Sequence, residues 1–309
     1  MSACRTAFDV LPDAEITTEA NPGTVDEARL RALVELGINR FSFGAQSFSP
    51  AELRMLGRLH TADAIGQTVA AARRAGIANL NLDLIYALPA QTLAGWRHTL
   101  QQAIALQPEH LSLYSLTLER GTALRAQVAR GELPPPDSDL AAEMYELADA
   151  LLADAGYTQY EISNWCKPGF ECRHNLTYWR NRPYLGMGAG AHSFEGDQRW
   201  WNARAVPRYI ERATGDHAPH PHPARAGGET IDRRLAMGET MILGLRLTRE
   251  GVSLPEFEAR FGLSVADAFG PVVEKLKALN LLQEENQRLR LTPPARLLGN
   301  QVFLHFLPE

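Results

Sequence analysis

The chain has 309 residues, 45% hydrophobic and 22% charged, with a formal charge of −5. That composition is ordinary for a globular protein and offers no basic footprint for nucleic acid. No run approaches the roughly 18 apolar residues of a membrane-spanning helix, and MSACRTAFDVLPDAEI lacks the basic lead and apolar core of a signal peptide.

RTAFDVLPDAEIT reads as a helix end, a turn and a strand. A domain starting there exposes a strand edge, so the expectation is a fragment or a start placed too far downstream. Glu15–Ala20 reads as the first strand, followed by the turn Asn21-Pro22-Gly23. Val25–Leu36 has apolar residues at helical spacing and stops at Gly37. Ile38–Gly44 is the next strand, Ala51–Leu56 and Thr61–Ala75 are helices, and Ala78–Tyr86 is a third strand. Leu93–Leu106 is a helix and His110–Leu116 a fourth strand. This β-α alternation with short connections calls for parallel strands, in an α/β barrel or a doubly wound sheet. No GxGxxG opens the first helix, which weakens the dinucleotide-binding version.

Polar residues stand at the strand ends: Glu19, Gln46, Asp83, Thr117 and Glu119. Ligands of parallel α/β folds bind at the carboxyl ends of strands, so this row is a site signal. The alternative for each is a cap on the following helix.

LPPP at 133–136 marks a linker, Ser138–Ala155 a long amphipathic helix and Thr158–Ser163 a strand. His217–Gly228 reads as a second linker. Helices are expected at Glu229–Leu243, Leu254–Phe261 and Val265–Leu279, then a hairpin over Leu281–Leu291 and a last helix over Pro294–Phe306. The expected domains are therefore 1–216 and 229–309, the second resembling a winged-helix module used for packing or docking rather than DNA. His217, His220 and His222 form HxxHxH, but they alternate with proline and lack nearby Cys partners, so no metal site is expected there. The glycine-rich GMGAGAHS lacks the Lys-Ser/Thr of a phosphate loop, and close backbone packing is expected. The only cysteines are Cys4, Cys166 and Cys172, which suits a reducing cytoplasm and supplies no CxxxCxxC.

The strings EANPGT, NRFSFGAQSF, LGRLH, NLDLIYALPAQT, LSLYSLTLERGTAL, YEISNWCKPGFECRHNLTYW and YLGMGAGAHSF resemble the oxygen-independent coproporphyrinogen III oxidase-like family of the radical S-adenosylmethionine (SAM) superfamily. The HemW-type heme-chaperone branch is the most similar, and the resemblance begins near Ala14. It implies a partial TIM-like (β/α) barrel lacking its first units, with a C-terminal helical, winged-helix-like domain. It also implies SAM contacts at Glu19, Gln46, Arg58 and Asp83, and at Thr117 and His192. HNLTYW matches the branch's heme motif and implies heme contact by His174, Asn175, Tyr178 and Trp179. SAM and a 4Fe-4S cluster are expected of the family, yet the cysteines and glycine-rich segment that hold them are absent here, as in an N-terminal truncation. Ala87 stands where the family has Gly, so a slightly different backbone is expected.

The implied function is a cytoplasmic, heme-binding chaperone that transfers heme to acceptor hemoproteins, such as respiratory ones. The alternatives are anaerobic coproporphyrinogen III dehydrogenase of porphyrin biosynthesis and a non-functional fragment. The cluster-dependent reaction is not expected of this chain as written. Nucleic-acid partners and a membrane span are not expected, peripheral membrane contact is left open, and the oligomeric state is undetermined.

Overall fold

Period-two alternation in the first strands decides the architecture. In Arg40–Gln46, Phe41, Phe43 and Ala45 are fully buried under the helices, while Ser42, Gly44 and Gln46 occupy the other face. The same holds for Leu80–Tyr86, where Leu80, Leu82 and Leu84 join the core and Asn81 and Asp83 point away from it. The computed structural model describes residues 1–215 and 222–308.

The chain divides into two compact units, Met1–Glu171 and Cys172–Glu309. The first runs α1 (Ser2–Ala7), β1 (Thr17–Ala20), α2 (Glu27–Glu35), β2 (Arg40–Gln46), α3 (Pro50–Met55), α4 (Ala62–Arg74), β3 (Leu80–Tyr86), α5 (Leu93–Ala105) and β4 (His110–Ser115). It continues with α6 (Ala123–Ala129), α7 (Ser138–Asp154), β5 (Thr158–Glu161) and β6 (Asn164–Cys166). The sheet order is β1-β2-β3-β4-β6-β5. β1 to β4 pair in parallel, and β6 runs antiparallel to both β4 and β5. This is the expected partial (β/α) barrel.

The expected strand Thr158–Ser163 is corrected to a hairpin. Its turn holds the Glu161 carboxylate, which accepts from the Ser163 amide at 3.0 Å and from the Asn164 side chain. The short run NWC then forms the antiparallel strand that the periodicity did not reveal. Helix starts are capped by Asp26, Ser49, Thr61, Thr92, Thr122 and Asp137, each accepting a backbone N–H of the first turn. None of the polar strand-end residues is a cap, which removes the alternative reading for Glu19, Gln46 and Asp83.

The second unit contains α8 (Arg173–Trp179), β7 (His192–Glu195), β8 (Gln198–Asn202), α9 (Val206–Thr214), β9 (Arg225–Thr230) and α10 (Arg233–Leu245). It ends with β10 (Val252–Ser253), α11 (Leu254–Phe261), α12 (Val265–Ala278), β11 (Leu282–Glu285), β12 (Arg288–Leu291), a 3-10 turn at Pro294–Leu298 and α13 (Gly299–Leu304). The sheet β10-β12-β11 with α10, α11 and α12 gives the winged-helix-like module.

Two expectations differ here. The linker was to end at Gly228 and the helix to begin at Glu229. Instead Arg225–Thr230 is a strand paired with β8, and α10 starts after the cap Asp232. The Gly227–Gly228 pair reads as a chain breaker, yet it lets β9 lie against an indole: a Cβ on Gly227 would sit 2.6 Å from the Trp201 ring. The segment 172–215 also groups with the C-terminal residues rather than with the barrel. His217 and His220 lie outside the described residues, while His222 packs on the Trp200 ring at 4.4 Å. Among the described residues no group of three or more metal-ligating side chains occurs.

Candidate functional site

The first unit holds a cavity of ≈ 380 Å³ at the carboxyl ends of its parallel strands. Glu19, Gln46, Arg58 and Asp83 all line it, and Ala20, Asn21, Ser42 and Gly44 complete the wall. Glu19, Gln46 and Asp83, up to 64 positions apart, come from the strand-end row, and Arg58, which follows α3, was named by the family resemblance alone. Thr117 is exposed and is not part of this lining.

Local backbone features aim these side chains. The register of β2 against β3 shifts between Phe43 and Gln46, and Gln46 takes the left-handed region at φ 65°. A bulge of this kind turns a side chain off the regular pleat, a device recurrent beside ligand sites. Gly44 makes room for two amides, since a Cβ there would lie 2.9 Å from Gln46 Nε2 and 3.3 Å from Asn21 Oδ1. Arg58 donates from Nη1 to Asn21 Oδ1 at 3.1 Å and has no acidic partner among the described residues. Its unpaired charge suits a carboxylate, which a guanidinium binds through paired hydrogen bonds. Ala87 keeps the geometry of a glycine position by itself holding φ at 58°.

Asp83 is the most tightly held polar group of the wall. Ser42 Oγ donates to its Oδ2 at 3.0 Å, and Asn81 Nδ2 to its Oδ1 at 2.8 Å. Burial pushes its carboxyl above the ordinary range, the donors Ser42, Asn81 and Ser112 pull it back, and the Glu19 charge adds to the rise. A carboxyl raised on folding costs stability when ionised, above its folded pKa, and the cost disappears below its unfolded pKa. Asp83→Asn is therefore expected to raise the melting temperature at neutral pH, with the gain vanishing near about pH 3. Thermal melts at both pH values check this, and an unchanged or lower neutral melting temperature contradicts it.

Sequence reading missed Asn21, Ser42 and Gly44. Ser42 and Gly44 stand four and two residues before Gln46, on the same face of one strand, and that alternation was the available signal.

In the second unit HNLTYW forms α8. His174 is exposed, and four residues on Tyr178 meets it edge to face with centroids 4.8 Å apart. Tyr178 in turn contacts Tyr184 at 4.6 Å, and Tyr184 lies 6.3 Å from Phe194. Burial, with Tyr184 adding to it, raises the Tyr178 phenol, so it stays protonated. Asn175 and Trp179 occupy the neighbouring ridge, where the Arg246 guanidinium covers the Trp179 ring at 4.3 Å. The buried Trp179 Nε1–H has no acceptor among the described residues. The four motif residues therefore split into an exposed imidazole with a tyrosine row and a covered tryptophan. His192 lies on β7 of this unit, with its ring 5.7 Å from that of Trp201. Cys166 and Cys172 are both buried.

The donor set of the cavity fits the polar groups of SAM. Arg58 matches a carboxylate, Glu19 and Asp83 match ammonium and hydroxyl donors, and Gln46 and Asn21 supply amides. It does not fit an iron–sulfur cluster, since no cysteine lines it and the chain has no CxxxCxxC.

Comparison with known proteins agrees with both units. The radical SAM superfamily profile matches residues 3–103, and the HemN C-terminal domain matches residues 231–298. The fold resembles a solved structure, that of the radical SAM enzyme coproporphyrinogen III oxidase (HemN) from Escherichia coli. The TM-score is 0.81 at 24% identity, over 99% of this chain and 72% of that one. The heme chaperone HemW of Lactococcus lactis is 37% identical over 95% of this chain and 75% of its own length. That of Bacillus subtilis is 38% identical over 96% and 76%, and that of Mycobacterium tuberculosis 39% identical over 96% and 73%. With identity sustained through both units and over some three quarters of these relatives, the chain belongs to the family of HemW-type heme chaperones related to radical SAM proteins.

Proposed function

We propose that this protein binds heme through α8 and passes it to acceptor hemoproteins in the cytoplasm. The observation carrying the reading is the exposed His174 at the end of the tyrosine row. Imidazole is a usual axial ligand of heme iron, and the adjacent rings offer an edge for the macrocycle. The Trp179 indole donor, without an acceptor among the described residues, suits a propionate oxygen. Asn175, half-buried on the same ridge, suits the second polar contact. No helix of the described residues is long and apolar enough to cross a membrane.

Glu19, Gln46, Arg58 and Asp83 are proposed to bind SAM, with Thr117 as a further contact carried by the family resemblance. When bound to a cluster-bearing protein, SAM supplies a radical for hydrogen abstraction. In this chain the cavity residues bind and orient: Arg58 holds an anionic group, and the carboxylates accept from donors. The coproporphyrinogen dehydrogenase reading requires the cluster, whose ligands the chain lacks, and is therefore the weaker one.

Heme titration followed at the Soret band tests the chaperone reading. His174→Ala is expected to weaken binding at least about tenfold, equivalent to about 1.4 kcal/mol. Because His174 is exposed, its stability should change by less than about 0.5 kcal/mol. Identical Soret shifts and affinities in the two proteins would remove His174 as the ligand.

A further inference from the structure

Behind Asp83 a line of buried polar side chains crosses the sheet. Ser42 on β2, Asn81 on β3, His110 and Ser112 on β4 and Tyr160 on β5 are all nine-tenths buried or more. His110 Nδ1 lies 2.6 Å from Asn81 Oδ1, and His110 Nε2 lies 2.9 Å from the Tyr160 hydroxyl. Ser112 Oγ also donates to Asn81 Oδ1, at 3.1 Å. Asn81 Nδ2 donates to Ser42 Oγ at 2.7 Å and to Asp83 Oδ1 at 2.8 Å.

The inventory of donors leaves one consistent direction. Both protons of the Asn81 amide nitrogen are used, one on Ser42 and one on Asp83. Its oxygen must then accept, so His110 carries its proton on Nδ1 and its Nε2 accepts from Tyr160. Ser42, having accepted from Asn81, spends its own proton on Asp83 Oδ2. Every donor points toward Asp83. Turning the Asn81 amide over would set two oxygens 2.8 Å apart unless Asp83 took a proton, and His110 would switch tautomer. The direction of the chain and the charge of Asp83 are therefore one variable. Burial keeps His110 neutral, with Arg40 nearby working in the same direction. Glu19 on β1 and Arg58 line the cavity that Asp83 faces.

We propose that Tyr160, His110, Asn81 and Ser42 are positioning residues that hold Asp83 as an ionised, acceptor-only group for hydroxyl or ammonium donors of the cavity ligand. The proposal rests on the cavity being a ligand site, but the orientation of the chain can be read without ligand. Nitrogen-15 NMR of His110 in the full chain should show Nδ1 protonated and Nε2 bare at neutral pH. The carbon-13 shift of the Asp83 carboxyl should be that of a carboxylate. In Asn81→Asp two carboxyls face each other and share a proton. The Asp83 signal should then move toward the protonated value, and SAM affinity, measured by calorimetry, should fall at least tenfold. His110 protonated on Nε2 in the parent protein overturns the proposal, as does an Asp83 signal unchanged by Asn81→Asp. If that variant does not fold, the parent tautomer alone decides. A parent protein that binds no SAM, with the expected tautomer present, removes SAM as the ligand and leaves the chain of donors standing.

Discussion

Gly186→Ala is expected to destabilise the second unit by about 3 kcal/mol, near the upper end of overpacking costs. A Cβ at that position would be driven onto the carbonyl oxygen of His192, 2.7 Å from its carbon and 2.9 Å from its nitrogen. These are backbone atoms of a paired strand and have no rotamer to yield. The glycine's own backbone is also fixed, its N–H on Ser193 Oγ at 2.9 Å and its C=O accepting from Asn202 Nδ2 at 3.1 Å. Two residues earlier, the bridge between Tyr184 and Phe194 has both hydrogen bonds at 2.9 Å. Relieving the clash must loosen several of these, each worth about 1 kcal/mol. Tyr184 moves with them, so the heme-induced Soret shift should also weaken. Gly270→Ala is the contrast: beyond its chain neighbours nothing lies within 4 Å of its missing Cβ, but Pro271 follows it inside α12, so the helix-propensity gain is offset by the clash with the proline ring and stability should change by less than about 1 kcal/mol. Denaturant titrations of both variants decide the matter. A loss below about 1 kcal/mol for Gly186→Ala shows that the loop is not clamped as described.

Trp96→Ala should cost the first unit about 3–5 kcal/mol. The indole is fully buried on α5, lies 5.5 Å from the Tyr86 ring and donates from Nε1 to the Met144 carbonyl of α7 at 2.8 Å. It thus ties two helices to each other and to the end of β3, the strand that carries Asp83. Trp96→Phe keeps much of the packing and loses the hydrogen bond, so its cost should be nearer about 1–2 kcal/mol. Urea denaturation of the two variants separates packing from hydrogen bonding. Equal losses would assign the whole effect to the indole N–H.

The parallel half of the fold was legible because its signals are local. Phe41, Phe43, Leu80 and Leu82 alternate with polar residues, and that alternation alone assigns faces. The cavity residues Glu19, Gln46 and Asp83 were legible for a related reason, whereas Arg58 was legible only through the family resemblance. Strand ends gather at one edge of a parallel sheet, whatever the pairing details. The antiparallel strand β6 was not legible, since three residues carry no period. Strand β9 was hidden because Gly227 and Gly228 signal a break unless Trp201 fills the space above them.

Within the sites, sequence named the residue types and the tertiary structure assigned their partners. HNLTYW fixed a histidine and two aromatic residues, but only the helix places His174 beside Tyr178 and turns Trp179 under Arg246. The direction of the hydrogen bonds reaching Asp83 depends on Tyr160, His110 and Asn81, separated by 50 and 29 residues and joined by the register of the sheet. The sequence by itself determined the family, the alternation and the chemistry available at the strand ends. The tertiary structure decided which groups share a proton or a cavity wall, because those partners are set by register and packing over long sequence separations rather than by local periodicity.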